Sequence, residues 1–338
     1  QRLIDVSVGD NFETFVRTLL VETLPRCYLE SYSQLRSLAR TIRWPAKPKF
    51  IYTAGAFDTN ECFKLWAAKK ATDGVPYFTG QHGAGYNSHL YLKTNFDPEV
   101  SASDAFLTWG WSDDQSNTLP AFVFNNDLIK LRRRDGHGGL LLIEAAMLHR
   151  MMHYDNYYEF GLYQEEQFTF VEALPENIRR TVSVRFHGSH TKFDWDEKGR
   201  WKDRGLGVEV SSKGLIEQME ESRIIVFAYD STGILECLSL NVPIICFWRD
   251  DLNHLTEQSK VYYQWLIDAG ILLHSPAAAA QQVTEIWDNV DDWWNKPIRQ
   301  NARKRFCHQF AHLSRNPVRE LRSILKNLYR THDNFRER

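Results

Sequence analysis

The chain has 338 residues, 43% hydrophobic and 25% charged, with a formal net charge of −2. That length accommodates two α/β domains or one large one, and the near-neutral balance argues against a general nucleic-acid binder. No apolar run approaches the roughly 18 residues of a membrane span, and no secretory signal opens the chain. The five cysteines show no paired short spacing, which suits reduced thiols in a cytoplasmic protein. The chain opens at Gln1, and little of a first α/β domain precedes residue 50, so a longer parent protein is expected.

Short apolar strands alternate with helical segments along the whole chain, the pattern of parallel α/β folds. In the first half, strands are expected at Arg26–Leu29, Lys49–Thr53, Pro76–Thr79 and Ala105–Trp109. Helices at Phe12–Leu24, Tyr32–Thr41 and Asn60–Thr72 connect them. The polar, glycine-rich stretch 131–139 reads as a linker. The second half restarts with strand Leu140–Ile143 and continues with a helix at Tyr157–Leu174. Strands Thr181–Phe186, Arg223–Ala228, Pro243–Phe247 and Gly270–Leu273 follow, with helices at Gly214–Glu221, Ala277–Val290, from Pro297 past Phe310, and Pro317–Tyr329. The expectation is an α/β fold of two Rossmann-like domains, 1–130 and 140–330, facing a central cleft, with a frayed polar tail over 331–338.

Ligands of open parallel sheets bind beyond the carboxyl ends of the strands, so the strand ends supply the candidate site. The most informative is the turn Tyr229-Asp230-Ser231-Thr232-Gly233 between an apolar strand and a helix. Two hydroxyls and unpaired backbone N–H groups at a helix N-terminus favour a phosphate, although the same residues also make an ordinary Ser/Thr cap. In the first half, Gly80-Gln81-His82-Gly83-Ala84-Gly85-Tyr86 sets a histidine in a backbone free to approach a ligand. His82 there is a general base, a phosphate donor or a turn cap. Asp58 is a helix cap or a catalytic carboxylate. Glu30, at an expected strand end, is either catalytic or a surface acid. Trp109 and Trp111 are candidates for an acceptor cleft. In the second half, Glu144 and His187 follow strands, Glu236 lies one helical turn beyond Ser231, and Trp248 can line a nucleotide pocket.

Other signals carry less. The Asp194-Trp195-Asp196 stretch has the form of a metal-diphosphate motif but sits among Lys198, Arg200 and Lys202, as a solvated loop does. The twelve histidines are scattered, and none falls in a His-Glu-x-x-His motif. Neither a P-loop nor a Gly-x-Gly-x-x-Gly fingerprint is present, which excludes the usual nucleoside-triphosphatases and dehydrogenases.

Several stretches resemble a family of bacterial transferases described as surface-carbohydrate or O-antigen biosynthesis proteins. They are Phe50–Asp58, Phe63–Ala68, Gly80–Gly83, Phe106–Trp111, Trp201–Arg204, Asp230–Thr232 with Glu236, Pro243–Trp248 and Ile286–Val290. The resemblance spans roughly Tyr28 to Leu325. More distantly, His82-Gly83 and Asp230-Ser231-Thr232 are similar to positions in CDP-glycerol glycerophosphotransferases and in Kdo and sialic acid transferases. This implies a two-domain GT-B glycosyltransferase with a nucleotide-activated, CMP-linked donor such as Kdo, held by the second domain. It implies a glycan or lipid-linked glycan acceptor, no cofactor and no obligatory metal. A cytoplasmic enzyme at the inner face of the membrane is expected. Ala84 stands where a further glycine is expected, which alters the loop but leaves His82 in place. The rival readings are a polyol-phosphate transferase or nucleotide-sugar epimerase on the same fold, or a catalytically silent domain of glycan assembly.

Overall fold

The computed structural model describes residues 11–92, 98–113, 117–124, 131, 138–145, 160–188, 192, 195–210, 213–248 and 252–336. Packing divides the chain into two compact units: 1–82 with 102–106 and 325–338, and 83–101 with 107–324. The dividing line thus differs from the expected domain boundary, because the segment that follows His82 packs with the second unit. Most of the expected linker, 132–137, lies outside the described residues; Gly139, which closes it, already opens a strand.

In the first unit, β1 (Ile51–Thr53) and β2 (Tyr77–Gly80) pair in parallel, with Ile51 opposite Tyr77. The helix Glu61–Thr72 joins them, and its N-terminus is capped by Asn60, whose side chain accepts from the Phe63 N–H at 3.0 Å. One face of this helix buries Phe63 and Ala67 against Ile51, with Trp44, Trp66 and Val75 around them. β3 (Ala105–Thr108) follows β2, fastened where Asp104 accepts from the Tyr77 N–H at 2.8 Å. β4 (Thr118–Pro120) falls within residues 107–324, which belong to the second unit.

The expected strand at Arg26–Leu29 is instead a single 3-10 turn, Arg26–Tyr28, between the helices Asn11–Thr23 and Tyr32–Thr41. Pro25 sets its start, and the Tyr28 N–H closes the turn on the Pro25 carbonyl at 2.9 Å. This short run stays half-exposed, so no burial favours an extended pairing. The tail is also more ordered than expected: the last helix runs Pro317–Arg336, and Tyr329 sets its ring 6.3 Å from Phe50.

The second unit is built on a six-stranded sheet of order β7-β6-β5-β8-β9-β10. Its strands are β5 (Gly139–Ile143), β6 (Val182–Arg185), β7 (Glu209–Val210), β8 (Ser222–Phe227), β9 (Ile244–Phe247) and β10 (Leu272–Leu273), all paired in parallel. The residues of β8 and β9 are apolar almost without interruption and buried, as a strand covered on both faces requires. The chain runs outward from the central β5 through β6 and β7, then returns to β8 on the other side. This is the doubly wound order, and its strand direction of travel reverses between β5 and β8. Two short strands, β4 of three residues and β7 of two, are absent from the expected strands; runs so short leave no period to read.

Among the described residues no helix is long and apolar enough to cross a membrane.

Candidate functional site

The carboxyl ends of β5 and β8 are adjacent, Ile143 opposite Phe227, and the candidate turn begins there. Beyond β5, Glu144 donates its backbone N–H to the Arg185 carbonyl at 3.0 Å, and Ala145 donates to the Tyr163 hydroxyl at 2.7 Å. The Glu144 side chain is 2% exposed and accepts from the Trp201 indole N–H at 2.6 Å. Burial pushes its carboxyl up to about 8; the Trp201 hydrogen bond opposes this and the nearby Glu197 charge adds to it. Glu144 is therefore an acid held neutral at the strand end. Next to it, burial pushes Tyr229 up to about 12 and raises Glu236, so the surroundings disfavour added negative charge on these groups.

Beyond β8, Ser231 is the N-cap of the helix Thr232–Ser239, in extended conformation, and its side chain does not bond the first turn. Gly233 lets this helix start close against the strand it follows. A Cβ there would stand 2.8 Å from the Phe227 ring, which is wholly buried. Gly233→Ala should cost about 1–3 kcal/mol by forcing strand and helix apart; urea unfolding measures it, and an unchanged midpoint would refute the tight approach.

The segment after His82 docks onto this turn. The Ala84 N–H donates to the Thr232 hydroxyl at 2.9 Å, and a Cβ on Gly83 would stand 3.1 Å from that same oxygen. Two motifs separated by 148 residues therefore meet, and the Thr232 hydroxyl, which accepts this bond, has a proton of its own to donate. The docked segment is then zipped down by its backbone. Leu90 donates to the His254 carbonyl and Thr256 to the Ser88 carbonyl, both at 2.8 Å, while Ser259 and Thr256 hydroxyls reach the Asn87 carbonyl.

Between these strands of contact lies a buried polar cluster. One oxygen of Asp230, Oδ2, meets His89 Nε2 at 2.9 Å, His254 Nε2 at 3.3 Å and the Tyr263 hydroxyl at 2.7 Å. All four side chains are buried; the rings of Trp248 and Tyr263 stand edge-on to His254. Burial alone would raise the Asp230 carboxyl, but the His89 charge and the hydrogen bonds of His254 and His89 outweigh it and hold Asp230 well below the usual carboxylate range.

The sequence model of the LIC12162 family transferases matches residues 4–325. The chain belongs to the LIC12162 transferase family. It is therefore an enzyme of the transferase class, which agrees with the coarser part of the resemblance read from the motifs. No curated protein matched the chain. Among solved structures, this family member is similar to the wall teichoic acid polymerase TagF at 11% identity and TM-score 0.47, covering 96% of this chain and 99% of that one. It is also similar to Acinetobacter baumannii MurG at 11% identity and TM-score 0.43, covering 88% and 76%. A third similarity is to the UDP-N-acetylglucosamine 2-epimerase of Rickettsia bellii at 14% identity and TM-score 0.42, covering 80% and 76%.

In this LIC12162 family transferase the residues singled out from sequence fall into three groups. Gly83, Asp230, Ser231, Thr232 and Gly233 come together at the reversal point of the second unit, with Glu236 one turn into the helix. In the first unit, Gln81 is buried, whereas His82 is exposed past the end of β2, its ring edge-on to Phe57 with centroids 5.9 Å apart. A third group is corrected by the structure. Glu30 follows a turn rather than a strand, is exposed, and stands 3.7 Å from Arg26. Asp58 sits exposed inside the short helix Ala56–Thr59, and Asn60 takes the capping role. Trp109 and Trp111 are 2% and 3% exposed, and Trp248 is 2% exposed; packing claims their faces, so none is open to line a cleft. His187 is exposed beyond β6.

Asp194, in the stretch read as a solvated loop, lies outside the described residues. Sequence reasoning missed His89, His254 and Tyr263. Each is a lone polar residue without a spaced partner, and only the fold sets them on one carboxylate.

Proposed function

We propose that the enzyme transfers a sugar from a nucleotide-activated donor to a cell-surface glycan acceptor. The observation that carries this is the position of Asp230–Gly233. The turn lies at the carboxyl end of β8 beside β5, where the strand order reverses, and it opens a helix. Doubly wound sheets bind nucleotides at that point, and a helix N-terminus there meets an anion with its first-turn N–H groups and dipole. Thr232, whose hydroxyl is fixed by Ala84, and Ser231 would donate to the donor phosphate. They would stabilise the charge that grows on the departing nucleotide. Glu236 and His187 are assigned to the nucleoside, and His82 is assigned the proton of the acceptor hydroxyl.

The membership in a transferase family supports the reaction class. The CMP-linked donor, Kdo as its sugar and a lipopolysaccharide or O-antigen acceptor are assigned on the sequence resemblance. Work at the cytoplasmic face of the membrane follows from such an acceptor.

Calorimetry with CMP, CDP and UDP tests the reading. The wild-type chain should bind one of the three, and Ser231→Ala with Thr232→Ala should weaken that nucleotide about 10- to 100-fold, the loss of one or two hydrogen bonds to a charged group. Absence of binding to all three, or affinity unchanged in the double variant, would overturn it.

A further inference from the structure

The Asp230 cluster has an uneven distribution of hydrogen bonds. Three donors converge on Oδ2, while Oδ1, equally buried, has no partner among the described residues. A carboxylate ordinarily spreads its donors over both oxygens, because each carries two lone pairs and a buried acceptor left empty costs free energy. The spacing offers an explanation. Ligand atoms bound about 2.0–2.1 Å from one ion, at angles between octahedral and tetrahedral, stand roughly 2.9–3.4 Å apart. His89 Nε2 and His254 Nε2 lie 2.9 and 3.3 Å from Oδ2.

We propose that His89, His254 and Asp230 together bind one first-row divalent cation, with zinc the preferred ion. Two imidazole nitrogens and one carboxylate oxygen suit zinc and its neighbours rather than magnesium or calcium, which take oxygen ligands. With the cation present both imidazoles are neutral and turn Nε2 lone pairs, not protons, toward Asp230. The contacts that crowd Oδ2 become coordination. Tyr263 keeps its 2.7 Å bond to the carboxylate and orients it from outside.

The site is braced in advance. His89 forms a bridge with Leu255, and Leu90 donates to the carbonyl of His254, so both imidazoles hang from paired backbone. The cation would fasten the segment that carries Ala84 to the turn that carries Thr232. Its role is to hold those two motifs together, and no step of the transfer runs through it. The inference is independent of the sugar-transfer reading, since it requires no particular donor. The three ligands are 141 and 24 residues apart in sequence, which is why spacing motifs predict no metal.

Elemental analysis of the full chain, purified from zinc-supplemented culture and dialysed against metal-free buffer, tests the proposal. About one zinc per chain is expected. Cobalt substituted for it should give visible d–d absorption, and zinc added to metal-free protein at a hundredfold excess over Kd should raise Tm by roughly 5 °C. His254→Ala and Asp230→Asn, checked for folding by circular dichroism, should retain little metal. Zinc far below one per chain together with no cobalt spectrum overturns the site, as does full metal retention in a folded His254→Ala. Both wild-type readouts stand even if the variants do not fold. A protein that binds nucleotide but no zinc refutes this inference alone; one that binds zinc but no nucleotide refutes only the donor reading.

Discussion

His82→Ala should lower kcat by about 100- to 10,000-fold, the usual contribution of a general base, which corresponds to about 3 to 5 kcal/mol of barrier. Nucleotide affinity should stay as it was. The separation of effects follows from where the groups sit. His82 is exposed past the end of β2 in the first unit, whereas Ser231, Thr232 and the first helical turn belong to the second. An imidazole is the side chain whose charge changes nearest neutral pH, so it can take a proton from a hydroxyl and release it again. Neither Glu30 nor Asp58 occupies a strand-end position comparable to that of His82. Single-turnover assays and calorimetry on the same preparation give both numbers. A kcat within threefold of wild type would remove His82 from the chemistry, and a parallel loss of nucleotide affinity would assign it to binding instead.

The second large effect concerns stability and pH. Glu144 ionises at about 8 in the folded chain against an ordinary value of 4.5. Between those values the folded state holds a proton that the unfolded state has released. Stability is therefore undiminished below about 4.5, falls through the interval by about 1.4 kcal/mol per pH unit, and levels off above 8. Glu144→Gln keeps an oxygen to accept the Trp201 N–H and carries no ionisable group. Its stability relative to wild type should climb by a few kcal/mol between pH 5 and pH 8. Denaturant unfolding of both proteins across that range measures the difference, in which other titrating groups cancel. A flat difference curve would mean that Glu144 is already ionised in the folded state at neutral pH. Should the glutamine variant lose nucleotide binding as well, Glu144 also shapes the ligand end of β5.

Most elements were readable because their signals are local. An apolar run such as Ile224–Ala228, ended by polar residues and followed by Gly233 and a helical stretch, marks strand, turn and helix with no knowledge of neighbours. Gly74 before Pro76 likewise locates the start of β2. The errors fell where local signals are weakest. Arg26–Leu29 has strand-like residues, yet nothing in the described structure pairs with them, so the turn set by Pro25 prevails. Tryptophans were read for their aromatic faces, but a face is useful only if open, and Trp109, Trp111 and Trp248 spend theirs on packing.

The sequence by itself determined the parallel α/β class, nearly every strand of the second sheet, and the turn at Asp230–Gly233, because periodicity, breakers and caps act over a few residues. Tertiary structure alone decided that β5 and β8 are neighbours, that Ala84 bonds Thr232, and that His89, His254 and Tyr263 close on Asp230. Those contacts join residues up to 148 positions apart, and their energy comes from burial and pairing that exist only once the sheet has brought the segments together.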